Sequence, residues 1–483
     1  MLKKKLININ LNKNLYNLSN NLQVSSDIIS THNKINVTKP FLPPKEEFFS
    51  IIDRIWDNHI LSNNGPIHDE FVEFLKKHEQ NDNVSIVSNG TMGLILAINS
   101  LGLKGEIITS PFSFIASSNA IALSGLKPVF CDVDNHTFNI DPDKIEKLIT
   151  PKTSAILAIH CFGCPCDVEK LELIAKKYSI KIIYDAAHSF GVKLNGKSIL
   201  NYGDISVTSF HATKVFHTAE GGMIVTKLKK HKNNIDELSN FGFDKDNTNR
   251  KKIKINSIGY NSKLSELNCA MGLAQTPYIK KIIKSRGIIY ELYKSQLKNI
   301  KGLRFQLFPK EVTNNYSYCP IIIENDFPIN RDELYNFLEL HNVSCKKYFW
   351  PVISELYSAI KFKKFKIVDC KNSLELSKKI LCLPIYPNLP LDGIKRICNI
   401  IKSVNDVPDN SRTPDYTHLK YPLIVDRRDY WKQVKRTVNG NEVADKDINT
   451  IIKNVRKNLD LNKSDSLLDL GCGNGKLASY FFK

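Results

Sequence analysis

No stretch of about 18 apolar residues runs through the 483-residue chain, so the sequence offers no membrane-spanning helix. Arginine is missing from the first 39 residues, which carry six Lys against one acidic residue, Asp27. That stretch also lacks the continuous apolar core of a secretory signal, and without arginine it makes a poor transit peptide. It reads as a basic, Asn/Lys-rich leader (1–39), with the cytoplasm as the expected location. A paired cysteine framework is lacking too. The eleven cysteines are odd in number and sit in apolar runs, such as Cys131 in PVFCDVD and Cys382 in ILCLPIYP, which describes buried thiols in a reducing compartment. Cys161, Cys164 and Cys166 lie beside His160, but no second ligand pair stands at finger-like spacing, so no metal site is expected. No Arg-rich or aromatic-interleaved basic patch exists either. The formal charge of +19 comes from Lys spread over the chain, a solvated surface that implies neither a nucleic acid nor a membrane partner. Internal repeats are absent.

What is present is an α/β rhythm. Between about 45 and 290, short apolar runs alternate with helical patterns: SIVSNGTMGLILAINSL, EIITSPFSFIASSNAIAL, KPVFCDVD, SAILAIHCFG, VEKLELIAKKY, IKIIYDAAH, DISVTSFH and GGMIVTK. Strands that are apolar throughout are covered on both faces, as in a mostly parallel sheet whose chemistry gathers at the strand ends. Longer amphipathic patterns follow (RDELYNFLELH, SLELSKKILC, LDGIKRICNIIKSV), which predict a smaller α+β domain. The expected division is a large domain over 40–290, a small one over 291–405, a linker over 406–425 and a further segment over 426–483.

Two strand ends carry charged or nucleophilic groups: Asp185 and His188 in IIYDAAHSFG, and Ser209 and Lys214 in SVTSFHATKVFHTAEGG. Alone, such a Lys is surface charge and such an Asp a helix cap. Together they supply what pyridoxal phosphate chemistry needs: an amine for a Schiff base, and a carboxylate that keeps the pyridine nitrogen protonated so that the ring withdraws electrons. In SNGTMGLILAIN a Gly-Thr turn opens a helix, so the N–H groups of Gly90, Thr91 and Met92 can face a phosphate at the positive helix end, although the segment standing alone reads as a capped helix start with no ligand.

In order and spacing, SNGTMGL, YDAAHSFG, SFHATKVFHTAEGG and GYNSKLSELNCAMG resemble the DegT/DnrJ/EryC1/StrS family of nucleotide-sugar aminotransferases over about residues 40–405. The resemblance implies the type I fold of pyridoxal phosphate dependent transferases, like aspartate aminotransferase. Lys214 matches the family's Schiff-base lysine, which also shuttles the proton during transamination; family members lacking it can be dehydratases. Asp185 matches the partner of the pyridinium nitrogen, and His188 a residue that lies beside the ring or orients Asp185, with a packed core histidine as the plain alternative. Ser209 adds a hydroxyl to the phosphate cradle. Phe114 falls where the family has an aromatic stacked on the ring. Asn261 resembles the residue that reaches the phosphate of the neighbouring subunit, which implies a homodimer with a shared active site. ILSNNGP, with Asn63 to Pro66, matches an N-terminal family element near the site. Cys164 stands where relatives often carry Gln, which puts one substrate contact in doubt, and Lys263 where many carry Arg.

The substrates implied are L-glutamate and a nucleotide-linked keto-6-deoxy sugar, for surface polysaccharide or glycan biosynthesis. The NNGP and SFHATK wording is similar to that of members making 4-amino sugars from dTDP-4-keto-6-deoxyhexoses; a 3-keto sugar aminotransferase and a non-catalytic pyridoxal phosphate binding regulator are the other readings. Finally, LLDLGCGNGK places Asp469, Gly471, Gly473 and Gly475 after an apolar strand. With RDYWKQVKRTVNG before it, this resembles the first motif of S-adenosylmethionine dependent methyltransferases, a Rossmann-like segment that stops eight residues after Gly475. It reads as a truncated or split second domain or as a remnant, and it implies S-adenosylmethionine only if that domain were complete.

Overall fold

Apolar runs need two covered faces, and in the computed structural model the strands find them. The described residues are 34–244 and 254–405, with the backbone of one further antiparallel strand pair, Thr437–Val438 and Asn441–Glu442. The linker, Asp469 and the glycines after it lie outside the described residues.

The central sheet has eight strands: β1 (Val84–Val87), β2 (Glu106–Thr109), β3 (Lys127–Phe130), β4 (Thr153–Ile159), β5 (Lys181–Asp185), β6 (Ile205–Ser209), β7 (Gly222–Thr226) and β10 (Lys366–Ile367). Their order is β1-β7-β6-β5-β4-β2-β3-β10. All neighbours pair in parallel except those of β7, which is antiparallel to both β1 and β6. Successive residues of a strand point to opposite faces, and each face has its own apolar cluster. Ile156 and Ala158 join Phe71, Leu171 and Tyr184 on one side, while Ala155, Leu157 and Ile159 join Leu94, Ile98 and Ile121 on the other. That is why these strands show no polar alternation in the sequence.

The helices that matter for the site are α1 (Lys45–Asn58), α2 (Pro66–Glu79), α3 (Gly90–Ser100) after β1, α4 (Ala116–Leu123) after β2, α7 (Glu266–Gln275) and α8 (Ile279–Leu297). Between β3 and α7 lie α5 (Val168–Tyr178) and α6 (Lys229–Ser239). Glu266, fully buried at the first turn of α7, accepts hydrogen bonds from the N–H groups of Gly65, Ile67 and His68. It thereby pins the NNGP turn, in which Asn63 and Asn64 both have positive φ.

A three-stranded antiparallel sheet of β8 (Leu303–Phe305), β9 (Cys319–Ile323) and β11 (Ile380–Leu383) follows, in the order β8-β9-β11. Around it pack α9 (Arg331–Leu340), opened by an Asn330/Glu333 capping box, α10 (Lys371–Lys379) and α11 (Leu391–Asn405). Buried Asp132 ties this layer to the end of β3. Its carboxylate accepts from Asn372 N, Ser373 N, Ser373 Oγ and Lys144 Nζ, and these donors hold it below the usual carboxylate range despite burial. Part of the leader is anchored as well, since Ile35 is buried and bridges to Val343. Among the described residues no helix is long and apolar enough to cross a membrane.

Candidate active site

Each parallel strand ends at the same edge of the sheet, and a cavity of about 270 Å³ opens there. The end of β1 delivers Asn89, Gly90 and Thr91; the end of β2 delivers Ser113 and Phe114; β5 ends on Asp185, with His188 just beyond; β6 ends on Ser209, followed by His211, Thr213 and Lys214. Gly90 packs tightly on the end of β6: a Cβ there would lie 3.1 Å from the Ser209 Cβ. Gly222, opening β7, is pressed so closely on the Asn89 carbonyl that a Cβ would come within 3.0 Å of its oxygen.

Asp185 is buried. Its Oδ2 accepts from Ser117 Oγ at 2.6 Å and its Oδ1 from the Ala187 N–H at 3.0 Å. Burial pushes its carboxyl above the usual range, opposed by Ser117, by Ala187 and by the Lys214 cation. The Lys214 ammonium is driven down to about 8 by burial, against the attraction of Asp185. His188 is held well below the ordinary imidazole range by burial and by Lys214, so the ring is neutral. Its Nδ1 accepts the Phe162 N–H at 3.1 Å, and its ring stacks with Phe162 and Phe349. No hydrogen bond joins His188 to Asp185: the donors on Asp185 are Ser117 and Ala187, and His188 lines the cavity wall.

Lys214, Asp185, His188, Gly90, Thr91, Ser209 and Phe114 therefore converge on one cavity. Two expected residues do not. The Met92 N–H is bonded to the Asn89 side chain at 2.9 Å, so the helix cap already uses this donor and a phosphate cradle keeps only those of Gly90 and Thr91. Asn261 lies outside the cavity of its own chain, on the exposed surface, where it accepts from Lys263 Nζ at 2.9 Å. Lys263 also donates to Asn240, so it braces two turns. Cys164 is buried away from the cavity with its thiol toward the Leu307 carbonyl. All ten described cysteines are buried, His160 Nδ1 accepts the Cys166 N–H, and no described group of three His, Cys, Asp or Glu side chains is arranged to hold a metal.

The cavity also has walls that local sequence patterns did not reveal. Tyr318, Tyr348 and Phe349 enter it from the smaller layer, and the Lys214 Nζ lies 6.0 Å from the Tyr318 ring centroid. The buried Arg286 on α8 donates to the carbonyls of Tyr316 (2.9 Å) and Ser317 (2.6 Å). Asn315 Nδ2 donates to the His188 carbonyl at 2.8 Å, and Ser317 Oγ donates to the same oxygen. One buried cation thus braces the loop that holds both Tyr318 and the backbone of His188. Only the unusual polarity of NNYSY before an apolar strand hinted at it.

The DegT/DnrJ/EryC1/StrS aminotransferase family matches residues 44–402. The chain is 44% identical over 370 residues to the dTDP-4-amino-4,6-dideoxy-D-glucose transaminase of Shigella dysenteriae, covering 77% of this chain and 99% of the relative. It is 40% identical over 374 residues to the Escherichia coli protein of the same name, covering 76% and 98%. Among solved structures it is similar to DesI with its TDP-sugar product, at a TM-score of 0.73 and 29% identity over 78% of this chain and 95% of that one. The chain belongs to the DegT/DnrJ/EryC1/StrS aminotransferase family, whose members are pyridoxal phosphate dependent sugar aminotransferases.

Proposed function

We propose that the chain moves an amino group from L-glutamate to C4 of a dTDP-linked 4-keto-6-deoxyhexose, with Lys214 as the residue that carries pyridoxal phosphate. The names of the two transaminase relatives and the sugar product of DesI support the substrate class. The observation that carries the chemistry is a lysine with a depressed ammonium and a buried carboxylate facing one cavity.

The residues fit the cofactor. A buried carboxylate with only two donors on it retains lone pairs for a ring N–H. Ser209 Oγ accepts the His211 N–H and still has its own hydrogen to donate. Gly90 and Thr91, at the N-terminus of α3 against Ser209, form a cradle that a Cβ at Gly90 would crowd. Bound there, pyridoxal phosphate supplies an electron sink for charge on the carbon that gains or loses a proton.

In this reading Asp185 accepts the pyridine N–H and keeps it in place, while Gly90, Thr91 and Ser209 hold the phosphate. Lys214 Nζ is free of its proton from about pH 8 upward, so it can act as nucleophile and as the base that moves a proton at the reacting carbon. His188 and Phe349 close one side and exclude water there, while Phe114 stands at the mouth. Asn261 serves the neighbouring subunit's phosphate, so the working form is a homodimer. The exposed positions of Phe114 and Asn261 support that assembly. We place the protein in the cytoplasm, with a large domain over 40–290 and a small one over 291–405.

The test is an absorbance titration of the purified protein. A cofactor band near the visible edge shifts on adding L-glutamate and returns with the accepted keto sugar. Protein that stays colourless with added pyridoxal phosphate overturns the proposal. Product analysis with 4-keto and 3-keto sugars fixes the position.

A further inference from the structure

The buried face behind Asp185 carries two serines that the amino-transfer reading does not use. Ser113 lines the cavity and Ser117 lies beneath it on α4, one turn on, fully buried. Ser113 Oγ and Ser117 Oγ are 3.1 Å apart, and Ser117 Oγ is 2.6 Å from Asp185 Oδ2. An ionised carboxylate only accepts hydrogen bonds, and at 2.6 Å Asp185 is much nearer than the carbonyl acceptor in reach, that of Phe114 at 3.4 Å, so the single hydroxyl hydrogen of Ser117 points at Asp185. The Ser117 oxygen is then an acceptor toward its other neighbour, and the Ser113 hydroxyl must donate to it. This orders the chain as Ser113 to Ser117 to Asp185.

We propose that Ser117, backed by Ser113, is a positioning residue that fixes both the orientation and the charge of the Asp185 carboxylate toward the cofactor ring. The inference rests on the pyridoxal phosphate reading of the cavity. Burial alone favours the neutral acid, which cannot hold a ring nitrogen in its protonated state. The forces against neutrality are few: the Ala187 N–H on Oδ1, the Lys214 cation across the cavity, and Ser117. The remaining titratable groups nearby, His188 and the Cys161 thiol, are held neutral by burial and add no positive charge. A charge-assisted bond at 2.6 Å is thus the one side-chain donor that the described residues give Asp185.

The experiment uses the full chain, stripped of cofactor and titrated with pyridoxal phosphate, read by fluorescence for affinity and by the pH dependence of the cofactor absorbance. Ser117→Ala is expected to weaken binding about tenfold, the loss of one hydrogen bond to a charged group, and to displace the absorbance–pH curve of the bound cofactor. Ser117→Thr, which keeps the hydroxyl, restores the curve. Ser118→Ala, a neighbouring buried serine that does not touch Asp185, leaves it unchanged. If Ser117→Ala does not fold by circular dichroism, Ser113→Ala provides the same readout with a displacement in the same direction and a smaller loss of affinity, about threefold. Wild-type curves and affinities in the serine variants overturn the relay. A wild type that takes up no pyridoxal phosphate overturns the reading of the cavity as well, so the two failures are distinguishable.

Discussion

The two ends of the cavity are built differently. At the inner end Asp185, Ser117 and His188 are buried, hydrogen-bonded and walled by aromatic rings, all within one chain. At the mouth Phe114 is 60% exposed and His211 and Glu220 face solvent 3.6 Å apart, while Asn261 stands exposed outside the cavity of its own chain. An end finished by its own fold is preorganised to hold charge, because its dipoles are paid for during folding. The open end is where the shared site proposed above would draw on a second surface.

The strongest test of the inner end is Lys214→Ala, expected to lower amino transfer by about 10⁴-fold or more, since the proposed function makes the amine both attachment point and base. Turnover assays with glutamate and the keto sugar measure it. Asp185→Asn keeps the shape and removes the charge; a loss of about 10²–10³ in kcat is expected, and a loss below tenfold would erase the contrast between the two ends.

Stability also separates them, with the sign set by proton uptake. The ordinary Lys ammonium titrates at 10.5 and Lys214 at about 8, so between these values the unfolded chain holds a proton that the folded chain has released. Folding stability therefore rises with pH across that window, and below it the cost of the buried ammonium is fully present. Lys214→Met is expected to stabilise the cofactor-free protein at pH 7 by about 2 kcal/mol, a value reduced for the partial access of water to the cavity, and by little above pH 10. Urea melts at the two pH values read this out.

At the mouth the effects are smaller. Asn261→Ala is expected to cost about tenfold, one hydrogen bond to a charged group. Mixing it with Lys214→Ala is then expected to restore activity, because a mixed dimer joins an intact Lys214 with the partner's intact Asn261. No recovery on mixing would make the mouth a single-chain feature. Phe114→Ala should weaken cofactor and sugar binding about three- to tenfold, the worth of one aromatic contact. A loss as large as that of Asp185→Asn would show that the mouth contributes as much as the interior.

Legibility in the sequence followed the same division. Asp185 and Lys214 were readable because a charged side chain at or shortly after the end of an apolar strand is conspicuous, and because a parallel sheet collects its strand ends on one edge. The antiparallel course of β7 was not readable, since an apolar strand looks the same in either direction. The Met92 N–H is engaged for a local reason: the Asn before the helix captures it as a cap. Ser113, Ser117, Tyr318, Tyr348 and Phe349 carry no local signal, because each acquires its role only when a distant segment folds against the cavity.

Periodicity and motif order alone determined that this chain builds an α/β sheet with a lysine and an aspartate at its working edge, because strand alternation and strand-end chemistry are local properties. Which donors hold that aspartate, that one arginine braces the loop behind His188, and that the mouth stays open were decided by tertiary structure. Those outcomes depend on contacts between residues from 30 to more than 100 positions apart, such as Arg286 with Tyr316 and Asn315 with His188. No local pattern encodes such distances; only the packed fold brings those groups within hydrogen-bonding range.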